Sequence, residues 1–168
     1  MRFAIFLRGV NVGGRTVRSA DLKRTLSEAG LDDVKTYVAS GNVTCETGLS
    51  AAALRTTVEK ALSEAFAYEA HVQVFAHREL ASIVDGYPFA DDDDHHRYAV
   101  LCDSAAVARE LGESEAGDME EVRATGRTVY WRCPKGSTLD TPFSKRTSAK
   151  SVRDATTTRN LNTLEKML

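Results

Sequence analysis

The chain has 168 residues, 42% of them hydrophobic, and its 22 Lys and Arg against 24 Asp and Glu leave a net charge of −2. That length buries a core without a metal or disulfide staple, and ordinary proportions of apolar and charged residues exclude a disordered or fibrous chain. No window is long and apolar enough to cross a membrane, and the polar turn soon after the first residues lacks the apolar core of a signal peptide, so the expected compartment is the cytoplasm.

Residues 2–7 open with an apolar run characteristic of a buried strand. Gly9-Val10-Asn11-Val12-Gly13-Gly14-Arg15-Thr16 follows as a glycine-rich loop, and a helix is predicted from Ser19, its expected N-cap, with Leu22, Leu26 and Ala29 on one face and Gly30 as its stop. Residues 34–39 and 43–46 alternate in the strand manner around Ser40-Gly41-Asn42, which predicts an antiparallel hairpin. Ser50 caps the clearest helix, whose stripe comprises Leu54, Val58, Ala61, Leu62, Ala65 and Phe66. Residues 71–76 form another strand. The order strand, helix, strand, strand, helix, strand is that of a split βαβ unit.

A similar order then begins again. Residues 78–85 predict a short linking helix stopped by Gly86 and Pro88, residues 97–102 a strand, and Ser104 a cap for a helix carrying Val107 and Leu111. Val122 and the alternating Val129, Trp131 and Cys133 flank Thr125-Gly126-Arg127, a second hairpin signal. Beyond Pro142 the apolar pattern is thin, and Thr156-Thr157-Thr158 is expected to cap a terminal helix marked by Leu161, Leu164 and Leu168. The predicted fold is α+β: two ferredoxin-like halves packed together, residues 1–77 and a less regular 78–168, with a hinge near residues 77–90.

Charge is unevenly distributed. Residues 91–121 are acidic, whereas from Val122 onward ten cationic side chains face only Asp140, Asp154 and Glu165. Such a tail attracts phosphate unless the acidic segment neutralises it within the fold. Cys45, Cys102 and Cys133 are odd in number and widely spaced, which fits buried thiols rather than a disulfide framework or zinc site.

The blocks Leu7-Arg8-Gly9-Val10-Asn11-Val12-Gly13-Gly14, Tyr37-Val38-Ala39-Ser40-Gly41-Asn42-Val43, Pro88-Phe89, Ser144-Lys145 and Thr158-Arg159-Asn160-Leu161-Asn162-Thr163 resemble, in order, the signature blocks of the domain of unknown function 1697 family. The resemblance implies a bacterial, cytoplasmic α+β protein of two ferredoxin-like halves, and it implies no reaction. Leu161 stands where that family usually carries an aromatic residue, and Arg15 where a lysine is common.

Several candidate sites follow. Gly9 to Thr16 nearly satisfies G-x-x-x-x-G-K-S/T, with Arg15 in place of lysine, but a P-loop helix starts at the lysine and its strand lies in a parallel sheet. Nucleotide triphosphate hydrolysis is therefore not expected, whereas a smaller anion remains compatible with glycines beside a helix start. Residues 5–10 loosely resemble the first RNA-binding strand of RNA-recognition domains, yet residues 42–46 supply no aromatic for base stacking, so Phe6 is expected in the core and nucleic acid is not an expected partner. Asp91-Asp92-Asp93-Asp94-His95-His96 offers metal-ligand chemistry, but contiguous loop residues rarely converge on one ion, and a solvated loop is expected. His71 and His77 lack a partner in any catalytic spacing.

Arg8, Asn11, Gly13, Gly14, Arg15, Ser40, Asn42, Arg159 and Asn160 gather polar and cationic groups in loops, as a preformed ligand site would. Their alternative role is to hold turns. The leading expectation is a non-catalytic module binding a small anionic or phosphate-bearing ligand at the glycine-rich loop, helped by Arg8, Arg15 and Arg159. The alternatives are an enzyme of phosphoryl-transfer or hydrolytic type, and a structural protein that assembles through exposed sheet edges. No catalytic residue, metal, cofactor or oligomeric state is assigned.

Overall fold

The computed structural model describes residues 1–10, 14, 16–38 and 41–168. The chain divides into two compact units, Met1–Ala81 with Lys166–Leu168, and Ser82–Glu165. The division falls within a continuous helix, α3 (His77–Asp85), and the last three residues group with the first unit.

The first unit runs β1 (Arg2–Arg8), α1 (Ser19–Glu28), β2 (Asp32–Tyr37), β3 (Asn42–Glu46), α2 (Ala51–Phe66) and β4 (His71–Ala76). Its strands are ordered β2-β3-β1-β4, every neighbour antiparallel. Strand periodicity puts Phe3, Ile5 and Leu7 on one face, where they join Val43, Cys45, Val72 and Val74 under Leu22 and Leu26 of α1 and Leu54, Val58 and Leu62 of α2. Ala4 and Phe6 on the opposite face are also fully buried, which accounts for the unbroken apolar run. Phe6 meets Phe75 edge-on at 6.0 Å and is a core residue. The helix caps are local: Ser50 Oγ accepts from Ala53 N at 3.2 Å, and Gly30, at φ 88°, follows α1 in the left-handed region.

The second unit follows α3 with β5 (His95–Cys102), α4 (Ala105–Gly112), β6 (Glu121–Thr125), β7 (Thr128–Pro134), α5 (Pro142–Ser148), α6 (Lys150–Arg153), β8 (Thr156–Asn160) and α7 (Leu161–Lys166). Its order, β6-β7-β5-β8, repeats the first sheet's, with α5 and α6 at the chain position of α2. Val100, Cys102, Val129, Trp131 and Cys133 form its core with Ala108, Leu111 and Phe143. α4 packs so closely on β6 that a Cβ at Gly112 would lie 2.6 Å from that of Ala124.

Two expectations are corrected. Thr156-Thr157-Thr158 is not a cap cluster: it lies in β8 and pairs with Val100, Leu101 and Cys102 of β5. β-branched residues suit a pleated surface, and pairing with a central strand outweighs their capping tendency. Ser19 does not cap α1 either. It is the first helical residue, and extended Arg18 (φ −76°, ψ 142°) precedes it.

Candidate functional site

Two of the predicted site residues, Arg8 and Asn42, lie at one end of the first sheet. Arg8 closes β1, and the Leu7 amide donates to the Gly41 carbonyl at 2.9 Å, which sets Gly41 beside the end of β1. Gly9 (φ 69°) and Gly14 (φ 78°) lie in the left-handed region with open space where a Cβ would be. Asn11, Gly13, Arg15 and Ser40 fall outside the described residues. Val17, 2% exposed, anchors the far end of the loop in the core.

Arg18 then opens α1 with no side-chain cap. The first intrahelical bond runs from Leu22 N to Arg18 O at 2.9 Å, so the amides of Ser19, Ala20 and Asp21 precede the helical ladder. Asp21 pairs with Arg24 at 2.9 Å rather than reaching back to them.

Asn42 supports the turn directly. It is 5% exposed, and its Nδ2 donates to the carbonyls of Tyr37 (3.1 Å) and Val38 (3.2 Å). Val38 lies at φ 41°, which costs a β-branched residue of order 1–3 kcal/mol. Asn42 thus braces the strained Val38 at the end of β2.

Arg159 and Asn160 belong to the second unit. Arg159 Nη1 donates to Thr157 Oγ1 (2.6 Å) and to the Thr158 carbonyl (2.9 Å), and burial pulls its pKa down to about 10. Asn160 Oδ1 accepts from Asn162 N at 2.9 Å, holding the entry to α7 as an Asx turn.

The second unit also carries a charged cluster that the sequence reading missed. Asp92 accepts from His95 Nδ1 at 2.7 Å and pairs with Arg132, which also pairs with Glu121 at 2.8 Å. The His95 hydrogen bond first, opposed by desolvation and then aided by Arg132 and the Asp94 amide, holds the Asp92 carboxyl well below the usual range. Arg97 pairs with Asp91 (3.3 Å) and Glu165 (3.2 Å) and stands 5.9 Å over the Tyr87 ring. Residues 91–94 are an exposed loop, as expected, and two of its carboxylates, Asp91 and Asp92, pair with arginines of the sheet. The available signal was strand parity: with Val129, Trp131 and Cys133 in the core, Arg132 must leave the opposite face.

Nucleophile chemistry finds little support. All three cysteines are buried and unpaired, and burial pushes the Cys45 thiol up to about 11, that of Cys102 to about 12, and raises that of Cys133. Thiols so protonated are weak nucleophiles. Among the described residues no three His, Cys, Asp or Glu side chains are grouped to hold a metal ion.

Two antiparallel four-stranded sheets with helices define an α+β protein. The model of a family of proteins of unknown function, DUF1697, matches residues 1–130, and the chain belongs to that family. The conserved bacterial protein SP0830 from Streptococcus pneumoniae has a similar fold: it is 23% identical, with a TM-score of 0.81 over 99% of this chain and 96% of that one. No curated protein matches the chain. Among the described residues no helix is long and apolar enough to cross a membrane.

Proposed function

We propose that the protein is a non-catalytic module that binds a small anionic or phosphate-bearing ligand at the loop between β1 and α1. One observation carries the reading: α1 opens without a capping side chain, directly after a loop bounded by two left-handed glycines. Helix-start amides and the positive end of the helix dipole favour an anion, and Arg8, Arg15 and Arg18 supply cationic groups along the same segment. The strained Val38, braced by Asn42, fits a site whose backbone is held in place before a ligand arrives. The reading rests on the first unit alone, so Arg159 is not needed for it. We read each unit as ferredoxin-like from its strand order, and the compartment as cytoplasmic from the three unpaired thiols.

The test is a titration of the 15N-labelled protein with inorganic phosphate, sulfate and ATP. The amides of residues 9–21 are expected to shift. Arg15→Ala, which removes a cation, and Arg18→Ser, which supplies an internal cap, should each weaken binding by about tenfold. Amides that ignore all three anions, or binding unchanged in the double variant, would overturn the reading.

A further inference from the structure

Arg97 of β5 and Arg132 of β7 stand directly opposite each other in register, so the two side chains leave the same face of the second sheet at adjacent positions. Only 19% and 15% of these side chains are exposed. Like charges opposite one another across a strand pair are unfavourable, and partial burial adds to the cost. Four carboxylates offset it, two on each guanidinium, but they come from different kinds of structure. Glu121 lies in β6 and Glu165 in α7, whereas Asp91 and Asp92 come from the segment between α3 and β5.

That segment lies across the pair like a strap. Besides the Asp91–Arg97 and Asp92–Arg132 pairs, Asp92 accepts from His95, the Asp93 carbonyl accepts from Lys135 Nζ at 2.5 Å, and the Asp94 carbonyl accepts from Lys135 N at 2.9 Å. The arrangement leaves donors unused: Arg132 Nε and the Tyr87 hydroxyl are buried without a partner, and burial pushes the Tyr87 phenol up to about 12, so it keeps its proton. Beside the strap a cavity of about 150 Å³ is lined by Arg97, Lys135, His95, His96, Asn160 and Asn162 together with Asp91, Asp92 and Asp93, while Arg132 reaches Asp92 at its edge. Its volume is roughly five times a water molecule's share of the liquid, room for one tetrahedral oxyanion.

We propose that Arg97, Arg132 and Lys135 form a second anion site, for a phosphate group, which Asp91 and Asp92 occupy in this structure as internal competitors. Each guanidinium presents a fork of N–H groups that suits the oxygens of phosphate as well as those of a carboxylate. A tethered carboxylate competes at an effective concentration in the millimolar range, so the closed strap weakens binding without altering the donors below it. This site lies wholly within the second unit and does not depend on the first loop.

The experiment is a titration of the full chain with inorganic phosphate, at constant ionic strength set with chloride. Asp91→Asn with Asp92→Asn should bind phosphate at least about tenfold more tightly than wild type, because two of the four paired carboxylates no longer compete. The gain should persist when Arg15→Ala is added, which separates this site from the first loop. It should vanish on adding Arg97→Gln and Arg132→Gln. Should those last changes unfold the protein, the Nε–H resonance of Arg132 in the Asp91→Asn, Asp92→Asn protein gives a second readout and should move with phosphate. Equal affinities of wild type and the neutralised strap, a gain lost with Arg15→Ala, or an Arg132 resonance indifferent to phosphate would each overturn the proposal.

Discussion

Glu120 is 8% exposed, and its carboxylate is the acceptor that joins three parts of the second unit. Oε1 accepts from Trp131 Nε1 at 2.8 Å, while Oε2 accepts from Gly117 N at 2.8 Å and from Phe143 N, in the first turn of α5, at 3.3 Å. Glu120→Gln keeps the shape and replaces one oxygen with an amino group. In the less costly orientation that group faces the indole N–H, which leaves one buried donor unpaired at about 1–3 kcal/mol. The two remaining bonds lose their charge assistance, roughly another 1 kcal/mol between them, so the total is about 3 kcal/mol. Trp131 is the only tryptophan, so its fluorescence during urea unfolding reports on this unit directly. At about 2–4 °C per kcal/mol, the thermal midpoint should fall by roughly 6–12 °C. A Glu120→Gln protein within about 1 kcal/mol of wild type would show that the carboxylate is not what holds α5 to β7.

Two further outcomes follow from titration behaviour. Because the folded state holds Asp92 below its ordinary value of 3.8, its contribution to stability is complete above that value and is lost as pH falls through the lower, folded one. The urea midpoint of Asp92→Asn should therefore lie below that of wild type at neutral pH, with the gap closing as the solution is taken below about pH 4; a gap that stays constant would refute the assignment. The raised thiols of Cys45 and Cys102 and the burial of Cys133 predict no reaction with a disulfide reagent at about pH 8 in the native protein and reaction of all three in denaturant. A rapidly reacting native thiol would contradict that burial.

Much of the fold was legible where a local pattern and a local cap agreed. The Leu54, Val58 and Leu62 stripe with Ser50, and Leu111 with Ser104, gave helices whose caps accept the expected amides, from Ala53 and Val107. Where the decisive contact is distant, local chemistry misleads. Thr156 to Thr158 carry hydroxyls suited to capping, and only the register with β5 makes them a strand. α5 was legible in principle, since Thr141 followed by Pro142 is an N-cap and first-turn pair and Thr141 Oγ1 does accept from Ser144 N at 3.2 Å; the thin apolar pattern hid it.

The same distinction explains the charge map. An acidic stretch followed by a basic one looks like a solvated run beside a phosphate-seeking tail, yet β6 and β7 are antiparallel neighbours and Glu121 lies directly opposite Arg132. Folding the chain back on itself turns part of the asymmetry along the sequence into complementarity across the strands. What escapes cancellation is set by register: Arg132 also faces Arg97, a like charge, so this row of the sheet needs acidic partners from outside it. Asp91 and Asp92 fill that need in this structure. The run expected to be a solvated loop is thereby the segment whose displacement would leave two facing guanidinium groups each short of one carboxylate.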